Sequence, residues 1–271
     1  MGRLTGKVAI VTGAGAAGNI GFAICDAFLR EGAAGVVATD LSADHAEEIS
    51  DQMAQSHGAG RFLFLQHNVA KADDWARVCQ ATIDEFGGLD VLVNNAGISL
   101  HGSIMDLPKE DLDRVMEVNF GAIVLGMKAC VPALGQSRER HRGGGSIINT
   151  LSVGAYMPNT MSFAYSASKA AARMLTLCAA DEFGPQGIRV NSVHPGVTKT
   201  PMIERGMQSM VKAGRYKDEA DAERGLGQHS PLGIVSDPED LAHAFVYLAS
   251  DEARFVTGQA FVHDGGIRRQ L

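Results

Sequence analysis

Short apolar runs alternate with longer amphipathic stretches along this 271-residue chain. The short runs are rich in valine and isoleucine and end at glycine or polar residues, which is typical of strands buried on both faces. They predict seven strands, at residues 7–12, 35–39, 61–66, 89–93, 146–150, 188–194 and 260–262.

The longer stretches repeat apolar residues every three or four positions, which indicates amphipathic helices. One long helix is expected after Pro108. The pattern predicts further helices at 22–30, 43–56, 72–86, 123–134, 164–180 and 238–249. Strands that alternate with helices favour an α/β fold with a parallel sheet. The chain has no internal repeat and no linker, so we expect one domain covering residues 1–271.

Residues 201–235 depart from this alternation. An apolar stripe at Ile203, Met207, Met210 and Val211 is followed by a charged stretch. Such a segment is typical of a mobile lid whose apolar face covers a cleft, and we predict a substrate lid here. Methionine stripes also occur as simple packing, which is the alternative interpretation.

The composition excludes several kinds of partner. Apolar residues make up 45% of the chain, which suits a globular protein with a large core. The net charge of −7 comes from interspersed charges, so we expect no binding to nucleic acid or to anionic membranes. No window approaches 18 uninterrupted apolar residues and no apolar signal segment opens the chain, so we expect a cytoplasmic protein.

The four cysteines predict a reduced compartment. Cys25, Cys79, Cys130 and Cys178 are far apart, and each falls within an apolar helical pattern. We therefore expect four buried free thiols. No metal site is expected.

A glycine-rich turn at residues 13–21 lies between the first strand and the first helix. Small residues let a ligand approach the backbone, and the amino end of a helix attracts a pyrophosphate. The order of strand, turn and helix therefore favours a dinucleotide site. The alternative is that the turn is only a tight connection.

Asp40 stands at the carboxyl end of the second strand, about 20 residues beyond the glycine turn. A carboxylate there can accept hydrogen bonds from both ribose hydroxyls of an adenosine and would repel a 2′-phosphate, which favours NAD over NADP. The alternative is that Asp40 caps the next helix, although Ser42 and Asp44 are also suitable caps.

Polar and small residues follow the next strands as well. Asn68 can present its amide to an adenine, whereas His67 and Trp75 are expected to be structural. The segment Asn94-Asn95-Ala96-Gly97 allows close approach of backbone to a ligand. Pro195 is expected to break the sixth strand and to leave two threonines, Thr198 and Thr200, at its carboxyl end.

Tyr165 and Lys169 are four residues apart in a helical stretch, which places both side chains on one face. A nearby ammonium favours the phenolate, so we expect the pKa of Tyr165 to be lowered toward neutrality. Ser152 follows a buried strand and can face the phenol across a carbonyl oxygen. Taken alone, the tyrosine and lysine could be an ordinary helix pair.

Asn119 is an unusual residue in an apolar helical stretch. A buried asparagine must satisfy several hydrogen bonds, so it is expected either to hold a helix distortion or to position a water.

Together these motifs resemble the short-chain dehydrogenase/reductase family along nearly the whole chain. The resemblance is carried by Thr12-Gly13 with Gly21, Asp40, Asn94-Asn95-Ala96-Gly97, Asn119, Ser152, Tyr165 with Lys169, Pro195-Gly196 with Thr200, and Asp264-Gly265-Gly266. It implies a Rossmann-like, doubly wound, seven-stranded parallel sheet with helices on both faces, usually assembled as a homotetramer, or else a homodimer, through long helices.

The resemblance also implies roles for individual residues. Tyr165 would be the general acid/base, Ser152 would hold the substrate oxygen, Lys169 would bind the nicotinamide ribose and Asn119 would support a water relay. Thr198 and Thr200 would fix the carboxamide. The implied cofactor-binding set is Gly13, Gly18, Asn19, Ile20, Gly21, Asp40, Leu41, Asn68, Val69, Asn95, Ala96, Gly97, Tyr165, Lys169, Pro195, Gly196, Val197, Thr198 and Thr200.

The glycine turn departs from the family pattern. It is two residues longer than usual, and Asn19 replaces the middle glycine. Because asparagine tolerates a left-handed backbone, we expect Asn19 to preserve the shape of the turn, with Gly18 contributing.

The expected function is NAD-dependent interconversion of a secondary alcohol and its ketone. The third strand, the Ser-Val-His-Pro segment at residues 192–195 and the methionine-rich lid are similar to bacterial hydroxysteroid and alicyclic alcohol dehydrogenases. The expected substrate is therefore bulky, apolar and cyclic or steroid-like. Two alternatives are a 3-oxoacyl thioester reductase and a dinucleotide-sensing protein without catalysis.

Overall fold

Seven parallel strands form the single sheet of the computed structural model, which describes residues 2–267. The strand order is β3-β2-β1-β4-β5-β6-β7, so the chain winds outward from β1 in one direction and from β4 in the other. This confirms the Rossmann-like, doubly wound fold. The strands are β1 Val8–Thr12, β2 Gly35–Asp40, β3 Phe62–Gln66, β4 Val91–Asn94, β5 Gly145–Thr150, β6 Ile188–Pro195 and β7 Ala260–His263.

Nine α-helices accompany the sheet within the described residues. They are α1 Ile20–Arg30, α2 Ala46–His57, α3 Ala72–Phe86, α4 Lys109–Met116, α5 Ala122–Leu134, α6 Phe163–Phe183, α7 Pro201–Lys212, α8 Glu219–Gly227 and α9 Pro238–Ala249. Helices α1, α2 and α9 pack on one face of the sheet, and α3, α5 and α6 pack on the other.

Alternate residues of each central strand belong to different hydrophobic cores. Val36 and Ala38 of β2 pack with α1 and α9, whereas Val37 between them packs with the helices of the opposite face. Side chains on a strand alternate between the faces of the sheet, so a strand covered on both sides must be apolar throughout. This explains why the strands read as short uninterrupted apolar runs.

A π-helical turn, Glu117–Gly121, joins α4 to α5 and contains Asn119. The structure thus confirms the predicted helix distortion at this residue. By length and composition alone, the helical stretch Lys109–Glu139 is apolar enough to cross a membrane, a test that core helices of soluble proteins also pass. Here α5 packs against α3 and the sheet.

Three local predictions were wrong. Helix α2 begins at Ala46 rather than residue 43, and neither Ser42 nor Asp44 caps it. Pro195 does not break β6 but ends it, paired with His263, because a last strand residue needs no further ladder hydrogen bond from its own nitrogen. Cys178 is exposed, since it lies on the outer side of α6; the other three cysteines are buried and all four are free.

Trp75 is fully buried, as predicted, and its indole Nε1 donates a 2.8 Å hydrogen bond to the Val69 carbonyl. His67 packs edge-on against the indole at 4.4 Å and shares a hydrogen bond with Thr39. Both residues are structural and hold the loop after β3 against the sheet.

Candidate active site

Tyr165 and Lys169 lie one turn apart near the start of α6. The Lys169 Nζ atom is 5.6 Å from the centre of the Tyr165 ring and donates a 2.8 Å hydrogen bond to the Thr150 carbonyl at the end of β5. Lys169 is only 3% exposed, and within residues 2–267 it has no carboxylate partner. A buried cation therefore lies beside a phenol at the carboxyl end of β5.

Burial dominates the proton affinity of both groups. It lowers the pKa of Lys169 to about 8, because the ammonium loses water and gains no counter-charge. It also raises the pKa of the Tyr165 phenol, and a hydrogen bond with the Ser152 side chain lowers that pKa by a smaller amount. The net direction for Tyr165 is opposite to the sequence-based expectation, which took account of the ammonium and not of burial.

Ser152 lies just beyond β5 with an extended backbone and caps a short 3₁₀ turn, Val153–Ala155. Its Oγ atom accepts a 3.0 Å hydrogen bond from the Gly154 amide. The hydroxyl proton is therefore available to donate, either to the Tyr165 oxygen or to an oxygen placed between the two side chains.

Asn119 joins two loops of the site. Its Oδ1 atom accepts from the Ile98 amide at 2.8 Å, and its Nδ2 atom donates to the Ile98 carbonyl at 2.9 Å and to Ser168 Oγ at 3.0 Å. These bonds fix α6 against the loop that follows Gly97. Ser168 and Ile98 were missed by sequence analysis, because these contacts connect residues distant in sequence.

The glycine turn ends at the amino end of α1. Asn19 caps this helix, and its Oδ1 atom accepts a 2.7 Å hydrogen bond from the Phe22 amide. The prediction of a left-handed Asn19 was wrong: its φ is −92°, and Gly18 takes the left-handed conformation with φ +76°. A cap must be extended to reach its partner amide, so the adjacent glycine supplies the turn.

The segment after β4 supports the glycine turn. Thr12 Oγ1 accepts hydrogen bonds of 3.0 Å from the amides of Asn95 and Ala96. Asn95 Nδ2 donates to the Thr12 and Gly13 carbonyls at 2.9 and 3.0 Å. A side chain at Gly13 would lie 2.8 Å from the Ala96 backbone, so only glycine allows this approach.

Asp40 faces the glycine turn and does not cap α2. Its Oδ2 atom accepts from the Gly15 amide at 2.9 Å, and Oδ1 accepts from the Leu41 amide at 2.8 Å. The Asp40 residue is half-buried. This orientation places a negative charge beside the glycine turn.

Hydrogen bonds or burial fix four further predicted cofactor residues, Asn68, Val69, Thr198 and Thr200. Asn68 Oδ1 accepts from the Ala70 amide, and the neighbouring Val69 is buried. Thr198 is buried and shares a 2.9 Å hydrogen bond with Ser236, a residue with no sequence signal. Thr200 caps α7 by accepting from the Ile203 amide.

These features fit a nicotinamide dinucleotide. The amino end of α1 has no acidic residue in its first turn, the glycines admit backbone approach, and Asp40 lies beside the turn. The residues that would hold the cofactor are those of the glycine turn, Asp40, the segment 95–97, Lys169 and the loop 195–200. Within the described residues no group of side chains has the spacing of a metal site.

Comparison with known proteins supports this class of site. A family model described as enoyl-(acyl carrier protein) reductase matches residues 13–268. The NADP-dependent (R)-specific alcohol dehydrogenase of Lentilactobacillus kefiri is 37% identical over 99% of both chains. The 3-alpha-(or 20-beta)-hydroxysteroid dehydrogenase of Mycobacterium bovis is 36% identical over 98% of this chain and 90% of that protein.

A solved structure shows the same fold. The L-sorbose reductase of Gluconobacter frateurii, complexed with NADPH and L-sorbose, has 31% identity, covers 100% of both chains and superposes with a TM-score of 0.91. The chain therefore belongs to the short-chain dehydrogenase/reductase family.

Proposed function

We propose that this protein is an NAD-dependent dehydrogenase that interconverts a bulky, apolar secondary alcohol and its ketone. The observation that carries the proposal is the group of Tyr165, Ser152 and the buried Lys169 at the carboxyl end of β5. The family relatives named above are an alcohol dehydrogenase, a hydroxysteroid dehydrogenase and a sugar reductase.

In the proposed reaction Tyr165 removes the hydroxyl proton of the alcohol, while the Ser152 hydroxyl donates a hydrogen bond to the substrate oxygen. The bound nicotinamide would accept the hydride from the carbinol carbon. Protonated Lys169 stabilises the Tyr165 phenolate through its nearby positive charge and binds the nicotinamide ribose. Asn119 holds α6 and the loop at Ile98 in their relative positions through its hydrogen bonds. It also supports a water that returns the proton to solvent.

Asp40 supports NAD as the cofactor. A carboxylate beside the glycine turn would repel a 2′-phosphate and accept hydrogen bonds from ribose hydroxyls. The Lentilactobacillus kefiri relative is NADP-dependent and the sorbose reductase was solved with NADPH, so family membership alone does not fix the choice.

Exposed apolar side chains on three segments support a bulky apolar substrate. Met105 is 89% exposed on the loop after β4, Met161 is 58% exposed on the loop before α6, and Met202 is 48% exposed on α7. Methionines adapt to ligands of varied shape. We propose that residues 201–235, which contain α7 and α8, act as a lid over this substrate.

We also propose a cytoplasmic homotetramer, or else a homodimer, built through the long helices. The outer side of α6 exposes Met174 at 56% and Leu177 at 37%. Apolar residues exposed together on one helix suit contact with another subunit. The four free cysteines fit a reducing compartment.

The function is tested by mixing purified protein with NAD at alkaline pH and a panel of cyclic, steroid and linear secondary alcohols, and by following NADH absorbance. We expect turnover with cyclic or steroid alcohols, and weaker turnover when NADP replaces NAD. Turnover of linear alcohols only would reject the substrate class.

The description of the matching family model favours one alternative, a reductase of acyl thioesters. Reduction of a 3-oxoacyl thioester, without oxidation of any alcohol in the panel, would establish that activity instead. Tight NADH binding with no turnover of any compound would indicate a dinucleotide sensor.

A further inference from the structure

A polar cavity of about 280 Å³ lies between α6, β6 and the start of β7. Its lining includes Tyr156, Arg173, Thr176, Ser192 and Gln259, together with Leu177 from the side of α6 proposed above for subunit contact. Neither Tyr165 nor Lys169 lines it, and none of the predicted cofactor residues does. The proposed dehydrogenase reaction therefore leaves this cavity without a role.

Arg173 is the one charged residue in the lining. Its guanidinium carbon lies 4.8 Å from the centre of the Tyr156 ring, a cation–π contact. Its Nε atom is buried and has no hydrogen-bond partner, and Arg173 forms no ion pair within residues 2–267. A buried donor without an acceptor is energetically costly, so an acceptor is expected at this place.

The neighbouring hydroxyls have other partners, and neither of them bonds to Arg173. Thr176 Oγ1 donates to the Ala172 carbonyl and accepts from Asn149, and Ser192 Oγ lies 2.9 Å from His194 Nε2. We propose that the cavity binds a small anion, a carboxylate or a phosphate group, through Arg173. A guanidinium fork held on an aromatic ring matches the oxygens of both groups.

The anion site is tested by the melting temperature of the full-length protein in sodium phosphate and in sodium acetate, each against sodium chloride at equal ionic strength. We expect at least one of the two anions to raise the melting temperature of the wild type by a few degrees more than chloride. The difference between phosphate and acetate distinguishes the two ligand chemistries. Arg173→Gln should lose the effect, and the control Arg224→Gln, at an exposed arginine of α8, should keep it.

The second variant is Arg173→Lys, which keeps the positive charge and removes Nε. It should weaken the rise in melting temperature if the anion binds to the guanidinium fork. Equal responses of all variants to both anions would overturn the proposal. The proposal would also be overturned if the wild type showed no anion effect while Arg173→Gln sedimented differently from the wild type. The partner of Arg173 would then belong to a second copy of the chain.

A separate observation concerns His194, which is completely buried near the end of β6. Its Nδ1 atom is 3.1 Å from the Ser152 carbonyl oxygen, and its Nε2 atom is 2.9 Å from Ser192 Oγ. A carbonyl only accepts hydrogen bonds, so Nδ1 carries the hydrogen and Nε2 accepts from Ser192. The ring also packs against Tyr156 at 4.9 Å.

We infer that His194 is a positioning residue for Ser152, an inference that rests on the proposed function. The hydrogen bond holds the Ser152 backbone in the extended conformation from which its side chain meets Tyr165. Small displacements of a catalytic group reduce turnover strongly, so loss of this bond should lower kcat.

The matched variants are His194→Asn, whose amide can still donate to the Ser152 carbonyl, and His194→Leu, which cannot. We expect kcat of His194→Leu to fall about 10-fold or more with the KM for NAD unchanged, and His194→Asn to keep most of the activity. Equal loss in both variants would overturn the role. If the wild type turns over no alcohol, the proposed function fails, whereas a crystal structure of His194→Leu with Ser152 unmoved would refute the positioning role independently.

Discussion

The charged side chains at the two ends of the sheet differ in whether they have a partner of opposite charge. At the carboxyl ends of the strands, Lys169 is buried without a carboxylate partner beside the phenol of Tyr165. At the amino ends, the buried Lys7 and Asp90 each have an oppositely charged partner, the partly exposed Asp251 and Arg140. We refer to these four residues as the amino-end charge cluster.

Every member of this cluster has a partner. Lys7 Nζ is 2.9 Å from Asp251 Oδ1, and Arg140 Nη2 is 2.8 Å from Asp90 Oδ1. Asp90 also accepts from the Val8 amide at 2.9 Å, which links the start of β4 to the start of β1. Buried charges are tolerated when they are paired and hydrogen-bonded.

The difference indicates what each end is for. Charges that satisfy one another tie distant parts of the chain together and leave nothing for a ligand. A buried cation without a counter-charge lowers stability. Because no counter-ion neutralises it, its electric field acts on a reacting group. Four substitutions test this contrast.

The largest effect is expected for Tyr165→Phe. Removing the phenol oxygen removes the proposed general base, which should lower kcat by on the order of 10³-fold. NADH binding, measured by fluorescence, and the melting temperature should stay close to those of the wild type. Activity retained within a few fold would exclude Tyr165 from this role.

Lys169→Met should lower kcat by on the order of 10²-fold, because the phenolate loses its stabilising charge. The same change should raise stability at pH 7 by about 1–2 kcal/mol, since it removes an unpaired buried cation. Chemical denaturation with parallel rate measurements checks both effects. If Lys169→Met were less stable than the wild type, this would contradict the claim that the unpaired Lys169 cation destabilises the fold and serves the reaction.

The stability gain of Lys169→Met should depend on pH. Burial lowers the pKa of Lys169 to about 8, so the unfolded chain binds more protons than the folded one between that value and the ordinary lysine pKa. The destabilising effect of Lys169 is therefore fully present below pH 8 and decreases as pH rises through this range. Unfolding of both proteins should be followed at neutral and at alkaline pH, where the difference between them should narrow.

Asp40→Ser should change cofactor choice without removing turnover. Loss of the carboxylate removes repulsion of a 2′-phosphate, so the ratio of kcat/KM for NAD over NADP should fall by about 10- to 100-fold. The matched control is Asp44→Ser on the exposed loop before α2, which should leave the ratio unchanged. An unchanged ratio in Asp40→Ser would place cofactor selection elsewhere.

Asp251→Asn should destabilise the protein by about 1–2 kcal/mol with kcat unchanged, because it leaves Lys7 buried without its partner. Burial acts to raise the pKa of Asp251, but the hydrogen bond and charge of Lys7 outweigh it and lower that pKa. The stabilisation is thus present above the pKa of a free aspartate and lost as pH falls through the lower folded value. Urea unfolding at neutral and acidic pH measures it, with exposed Asp113→Asn as control.

Local patterns in the sequence predicted the active-site end well. Apolar runs located the strands within one or two residues, and the spacing of Tyr165 and Lys169 gave their common face. An asparagine in an apolar helix predicted the distortion at Asn119. These features depend on neighbours a few residues away, which is the range over which sequence periodicity is informative.

Features set by distant contacts could not be predicted in this way. The rise in the Tyr165 pKa comes from burial of the phenol in the folded protein. Thr198 with Ser236 and Lys7 with Asp251 have ordinary sequence surroundings and meet only in the folded protein. At Asn19 two local preferences competed, and capping of α1 prevailed over the left-handed turn.

The most direct test of the proposed reaction uses cyclohexanol deuterated at the carbinol carbon, with NAD and purified protein at alkaline pH. Mass spectrometry of the reduced cofactor reports where the deuterium goes. The proposed reaction transfers it from the carbinol carbon to the nicotinamide ring, and Tyr165→Phe should form almost none of the labelled product. Reduced cofactor without deuterium would contradict hydride transfer from the alcohol, and with it the proposed chemistry of Tyr165, Lys169 and Ser152 at the carboxyl end of the sheet.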